Sequence, residues 1–365
     1  MPKAGKIHAV ILAGGAGERF WPASRAKHPK PLLEVVDGQS LLDATAARAR
    51  RFASKGCVWV VCGADHAAAI RRSTGLPPSR VLVEPMRRNT AMAVALAAQR
   101  IATADPEGVM AVLPADHRIP DVKRFASEIK RAAVAAAAAG VLVTLGVEPT
   151  RADTGYGYIN IGRAAGADHP GLSHVRRFIE KPNAAAARRY LKHGGYLWNA
   201  GIFVFSARTI LEEIEACEPA LFKALAPLKK AGKRLTKAAL LAAYRKAPSM
   251  PIDVAVMERS KKVWTLPVSF HWSDVGTWQS LAEELGVTDG LSKVVEGDLA
   301  HDDIGGNLVW TTNHGGHART VALLGVEGLA VIDTGDVLLV ARLDRAADVR
   351  DIVKKLKANG RANVT

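Results

Sequence analysis

Residues Ile7 to Leu33, IHAVILAGGAGERFWPASRAKHPKPLL, set an apolar run, a glycine cluster and two cations in close succession. Ile7 to Leu12 is mostly apolar and of strand length, as expected of a parallel strand buried on both faces. It stops at Ala13-Gly14-Gly15-Ala16-Gly17, where the lack of side chains lets backbone N–H groups close on an anion. Arg19 and Lys30 follow, one on each side of Trp21-Pro22. Strand, glycine loop and two cations suit a polyphosphate, and the same residues also suit a tight strand-to-helix turn with solvated cations. Asp116 follows a second apolar run, Val109–Leu113, and Asp274 lies in Trp272-Ser273-Asp274-Val275-Gly276-Thr277-Trp278. These are the candidate metal carboxylates, because magnesium takes one or two carboxylates and completes its shell with water and phosphate oxygens. A helix cap or a turn would use either Asp equally well.

Two familiar phosphate loops are excluded by spacing. No Gly-Lys-Ser/Thr follows the first glycine at Walker distance. Phe20 stands where a dinucleotide fingerprint needs its third glycine, and no helix runs through Trp21-Pro22. The elements around the loop must therefore position it. Ser40 caps a predicted helix to about Ala53, and Cys57–Cys62 and Val81–Val83 read as strands. Asn89 and Thr90 are expected to cap an Ala-rich helix to about Thr103. Val109–Leu113, a helix from about Asp121 and a strand at Val141–Val147 complete a βαβα alternation. That alternation predicts an α/β fold with a mostly parallel sheet and helices on both faces. Ligands of such sheets sit at the carboxyl ends of the strands, where the glycine loop, Glu84–Thr90 and Asp116 all fall.

Past Pro149 the pattern turns to aromatic, alternating strands at Tyr156–Ile161, Val175–Glu180 and Leu197–Phe205. Turn residues at Gly286–Leu291 mark a boundary, giving residues 1–287 as one domain and 288–365 as a small β-rich domain closed by a terminal helix. The 365 residues suffice for both. The formal charge is +15, and between Lys223 and Lys262 eleven Lys or Arg face two acids. That segment lacks interleaved aromatics and any nucleic-acid motif, so it reads as a solvated helical face, with phosphorylated small molecules as the partners a basic protein attracts. No apolar run approaches the ~20 residues of a membrane span. The first strand begins too early for a leader peptide. Cys57, Cys62 and Cys217 show no metal spacing, and a cytoplasmic protein with reduced thiols is expected.

The loop GGxGxRxWPxSRxxxPKP closely resembles the signature of the sugar-1-phosphate nucleotidylyltransferases, and Trp21-Pro22 and Ser24-Arg25 resemble the mannose-1-phosphate branch in particular. That resemblance implies a Rossmann-like catalytic domain and a small β domain with a role in homodimerisation. It implies that GTP and mannose 1-phosphate yield GDP-mannose and pyrophosphate with Mg2+ as cofactor, and no nucleic-acid or membrane partner. Leu12, Ala13, Gly14, Gly15, Gly17, Glu18, Arg19 and Lys30 would hold the nucleotide phosphates, and Glu84, Asn89 and Thr90 the base. PADH and DVGTW resemble the metal segments, with Asp116 and Asp274 as ligands. FIEKP, WNAGIF and YGY resemble the sugar pocket, with Tyr156, Gly157, Glu180, Lys181 and Asn199 on the sugar phosphate. Arg19, Lys30 and Lys181 would be the catalytic cations. Ala23, Pro31 and Ala200 depart from residues common at those places, which bears on substrate preference. Two other readings stay open: the same chemistry on another hexose 1-phosphate or nucleoside triphosphate, and a non-catalytic nucleotide-sugar-binding regulator.

Overall fold

The structure is a computed structural model that describes residues 5–15, 17–36, 38–288, 292–294, 298–302, 305–311 and 320–365. The chain divides into two compact units. The first comprises residues 1–14, 45–115 and 119–272, and the second residues 15–44, 116–118 and 273–365. The chain thus passes from one unit to the other at the Gly14-Gly15 step and again at Ala115-Asp116.

The first unit is built on a nine-stranded sheet. Its strands are β1 (Ile7–Leu12), β2 (Val58–Gly63), β3 (Val81–Glu84), β4 (Val109–Pro114), β5 (Leu142–Val147), β6 (Tyr158–Ala164), β7 (Ser173–Ile179), β8 (Tyr196–Ser206) and β9 (Val263–Val268). Their order is β3-β2-β1-β4-β8-β5-β9-β7-β6. β3, β2, β1 and β4 run parallel, as their uninterrupted apolar runs demand. β8 lies antiparallel to both β4 and β5, with a register shift between Asn199 and Phe203. The aromatic strands past Pro149 therefore join the same sheet.

Helix Asn89–Ala104 is covered over most of its length. Its nine buried residues include five alanines, Ala91, Ala93, Ala95, Ala97 and Ala98, which cost no side-chain entropy on burial. Local sequence sets several helix starts. Ser40 Oγ accepts the Asp43 N–H at 3.0 Å, Asp121 Oδ1 that of Arg124 at 3.0 Å, and Asn183 Oδ1 that of Ala186 at 2.9 Å. Asn89 and Thr90 depart from the expected caps. The N-cap is Arg88, with no side-chain cap, and the Thr90 hydroxyl instead accepts the Ile252 N–H at 2.9 Å.

The second unit has its own core of Phe20, Trp21, Leu33, Trp278, Trp310, Ile332 and Val349, among others. Strands Leu308–Thr311, Leu329–Asp333 and Leu338–Arg342 pair in sequence, the last antiparallel, and helix Val349–Ala358 follows. Trp278 Nε1 donates to the Trp21 carbonyl at 3.1 Å. Trp21 Nε1 donates to the Val364 carbonyl at 2.7 Å. Burying these rings while satisfying both indole N–H groups fixes the segment that follows the glycine loop. No described helix is long and apolar enough to cross a membrane.

Candidate active site

In the second unit, Lys30, Asp116 and Asp274 meet. Arg118 and Ser273 exchange both backbone hydrogen bonds, at 2.9 and 3.1 Å, which lays residues 116–118 antiparallel to 273–274. Lys30 Nζ donates to Asp116 Oδ2 at 2.8 Å and to the Asp274 carbonyl at 2.9 Å. Lys30 is 5% exposed, so its ammonium is aimed by these two contacts rather than by solvent. Burial works against the Asp116 charge, but the Lys30 ammonium, His117 and hydrogen bonds outweigh it and hold the carboxyl below its ordinary range. Gly17 makes this approach possible. It takes φ +64°, and a Cβ there would lie 2.4 Å from Lys30 Cβ and 2.7 Å from Ser24 Oγ. Glu18 and Arg19 form a short 3-10 turn with Phe20, where Glu18 accepts Lys357 Nζ at 2.7 Å. Arg19 takes no part in the Lys30 contacts, and Gly15 is exposed beside them in the chain.

Asp116 and Asp274 are hard oxygen donors, the class magnesium selects. Among the described residues no group of three or more His, Cys, Asp or Glu side chains could hold a metal. A magnesium ion held by these two carboxylates would take its remaining ligands from water and phosphate.

The first unit carries the other candidates. The parallel β1, β3 and β4 bring Leu12-Ala13-Gly14, Glu84 and Pro114-Ala115 to one edge of the sheet. The Ala13 N–H is tied to the Val61 carbonyl and that of Ala115 to the Leu12 carbonyl. Gly14 lies against Glu84, since a Cβ there would sit 3.5 Å from Glu84 Oε2. Tyr244 donates its hydroxyl to Glu84 Oε1 at 3.0 Å, and Arg88 Nε binds the Tyr244 carbonyl at 2.8 Å. Burial pushes the Glu84 carboxyl up despite the Tyr244 bond. Asn89 Oδ1 accepts the Thr90 N–H at 2.8 Å.

A second cluster in this unit joins Gly157, Glu180, Lys181 and Asn199. Lys181 Nζ donates to Glu180 Oε1 at 2.6 Å. A Cβ on Gly157 would stand 2.7 Å from Glu180 Oε2 and 3.2 Å from Asn199 Cβ, so only glycine leaves that carboxylate in place. Tyr156 stacks obliquely with Trp198, their ring centroids 4.9 Å apart, and meets Trp272 edge-on at 5.3 Å. Asn199 Oδ1 accepts the Thr144 hydroxyl and the Gly201 N–H, each at 3.0 Å, which stitches the irregularity in β8. Its Nδ2 donates to Asp253 Oδ1 at 2.9 Å. With the carboxamide so fixed, one N–H remains for a ligand.

Sequence reasoning missed Asp253 and Tyr244. Asp253 interrupts the apolar run Ile252–Met257, a signal that was available. Tyr244 lies in an Ala-rich amphipathic helix and had none. Burial, then the Glu180 carboxylate, push the Asp253 carboxyl up to about 7. A raised acid binds more protons folded than unfolded. Its contribution is therefore complete below the unfolded value near ~3.9 and is lost as pH rises through about 7. Asp253→Asn should flatten the fall in unfolding free energy between about pH 4 and pH 7 measured in urea, and an unchanged slope would refute this origin.

Three described non-glycine residues have positive φ: Asn89 at 61°, Lys181 at 46° and Val275 at 43°. Each lies in a candidate segment, and Val275 follows Asp274 directly. Such backbone costs about 1–3 kcal/mol per residue and persists where surrounding contacts over-determine it, as at functional sites.

Fold and clustered residues together define a nucleotidyltransferase. Residues 8–287 match the family described as Nucleotidyl transferase, to which the chain belongs, and residues 306–356 match the MannoseP isomerase/GMP-like beta-helix domain. The Xanthomonas campestris pv. campestris (strain B100) "Xanthan biosynthesis protein XanB" is 37% identical over 98% of this chain and 74% of its own length. The Escherichia coli "Mannose-1-phosphate guanylyltransferase" is 36% identical over 96% of this chain and 76% of its own. A Thermus thermophilus crystal structure, described as a mannose-1-phosphate geranyltransferase, has a TM-score of 0.87 at 34% identity, covering 96% of this chain and 99% of that one.

Proposed function

We propose that this protein transfers GMP from GTP to mannose 1-phosphate, releasing pyrophosphate and forming GDP-mannose. The observation that carries this reading is the buried Lys30 ammonium, aimed by the Asp116 carboxylate and the Asp274 carbonyl on a glycine-rich signature segment. A sugar phosphate is already an oxyanion at neutral pH, so attack on the α-phosphorus needs no general base. Catalysis reduces to positioning and charge neutralisation. Lys30 neutralises charge at the α-phosphate and Arg19 charge on the departing pyrophosphate. Asp116 and Asp274 would hold magnesium, which when bound neutralises phosphate charge. Lys181 holds the attacking phosphate, and Glu180 and Asn199 accept and donate hydrogen bonds to the sugar hydroxyls. Glu84, held by the Tyr244 hydroxyl, supplies the acceptor oxygens for the N1–H and N2–H donors of guanine, a donor pair that adenine does not present.

Pyrophosphate release with mannose 1-phosphate, run separately with GTP, ATP, UTP and dTTP, tests the reading. Release with GTP, abolished by a chelator, is expected. Release only with another triphosphate would overturn the Glu84 assignment while keeping the reaction class. A further outcome concerns Gly157. Gly157→Ala should raise the KM for the sugar phosphate about tenfold or more, the scale of one crowded pocket contact, with little change in melting temperature. An unchanged KM would remove Gly157 and Glu180 from the sugar site.

A further inference from the structure

Arg25 belongs to the signature segment, yet the reaction above gives it no task. Its guanidinium makes four hydrogen bonds within the second unit. Nη1 and Nη2 donate to the two Asp336 carboxylate oxygens at 2.6 Å each, Nη2 also donates to Thr334 Oγ1 at 2.8 Å, and Nε donates to the Pro22 carbonyl at 2.9 Å. This bidentate fork constrains orientation as well as charge. The turn that receives it is itself tied down. The Gly335 N–H binds Asp333 Oδ1 at 2.8 Å, and the Thr334 N–H binds the Val337 carbonyl at 2.9 Å. The hydrogen bond from Arg25 holds the Asp336 carboxyl down at about 2, so the pair stays charged throughout the neutral range.

On its other side Arg25 leads straight to Lys30. Arg25 and His28 exchange both backbone N–H···O=C bonds, at 2.9 and 3.0 Å. The resulting tight turn runs into Pro29 and the buried Lys30. Lys30, which reaches Asp116 and the Asp274 carbonyl, stands five residues beyond Arg25.

We infer that Arg25 is a positioning residue for Lys30, through which the Thr334–Asp336 turn of the C-terminal β region sets where the Lys30 ammonium stands. The C-terminal β region then belongs to the catalytic apparatus. This deepens the transferase reading and rests on it. Asp336 is 52% exposed and Arg25 21%, and ion pairs this exposed add little to global stability. By contrast, a misplacement of ~1 Å in a catalytic group can cost about a hundredfold in rate. Loss of the clamp should therefore appear in kcat and not in Tm.

The test compares full-length Arg25→Ala, Arg25→Lys, Asp336→Ala and the Arg25→Ala/Asp336→Ala double variant with wild type. It reads kcat, KM for GTP and mannose 1-phosphate, Tm, and hydrogen exchange over residues 26–33. Each alanine variant is expected to lose roughly ten- to a hundredfold in kcat, with KM and Tm nearly unchanged. The double variant should fall no further than the singles, because the two residues act as one unit. Arg25→Lys keeps the charge but loses the fork, and should recover only part of the rate. Exchange over residues 26–33 should quicken in the alanine variants. Wild-type kcat in Arg25→Ala, multiplicative losses in the double variant, or unchanged exchange would each overturn the inference. The exchange measurement needs no substrate. If wild type released no pyrophosphate, the transferase reading would fail by itself while exchange still decided whether Arg25 orders the Lys30 turn.

Discussion

Lys30→Met should turn over about a hundredfold to a thousandfold more slowly than wild type, the cost of removing one preorganised donor to developing charge. Methionine keeps most of the lysine stem's volume and adapts to irregular gaps, so the buried segment around Pro29–Pro31 stays filled. What disappears is the charge at 2.8 Å from Asp116. Removing one partner of a buried ion pair costs about 3–5 kcal/mol when the other charge is left stranded. The Asp116 side chain is 31% exposed, so water screens the remaining charge and the expected loss is nearer ~1–2 kcal/mol. Activity and stability should therefore separate in a second variant. Lys30→Met/Asp116→Asn should recover most of the stability, because no charge is stranded, and none of the rate. Steady-state kinetics with GTP and mannose 1-phosphate, beside urea midpoints, measure both. A kcat within about threefold of wild type would remove Lys30 from catalysis, since one preorganised charge contact is worth far more than that.

The second large effect is expected at Asp274. Its Oδ1 accepts the Gly276 N–H at 3.1 Å, across Val275 at φ 43°. Asp274→Ala would lose both that turn contact and the charge, and would confound strain with chemistry. Asp274→Asn keeps the oxygen that accepts from Gly276 and removes only the charge. It should lower kcat roughly a hundredfold and move half-maximal activation to higher magnesium, since the second hard anionic donor is gone. Near wild-type turnover with an unchanged magnesium requirement would show that Asp274 is no metal ligand and that its task is the turn alone.

Local elements were legible wherever the signal was local. The apolar runs form strands, Ser40 and Asp121 cap helices as their side chains predict, and helix Ala184–His193 begins and ends where its pattern does. Asn89 and Thr90 differ from the expected caps because cap preference is judged only against near neighbours. The start of their helix is instead held from far along the chain. The Met250 carbonyl accepts the Ala91 N–H, and the Ile252 N–H donates to the Thr90 hydroxyl. Which sheet takes the aromatic strands past Pro149 was not legible, because periodicity reports burial of a face and not which sheet buries it.

The sequence by itself determined that this chain places a glycine loop, Glu84 and Asp116 at the ends of parallel strands, and which cations and carboxylates stand ready for phosphate chemistry. These follow from spacing along short stretches, and short-range sterics and caps enforce them. Tertiary structure alone decided the partners. Lys30 meets Asp116 and Asp274 across 86 and 244 residues. Asn199 meets Asp253 across 54, and Tyr244 meets Glu84 across 160. Arg25 meets Asp336 across 311. Such pairs depend on strand order, on the antiparallel insertion of β8 between β4 and β5, and on which turn closes beside which. No periodicity or propensity encodes these, because they are settled only when the whole core is buried at once.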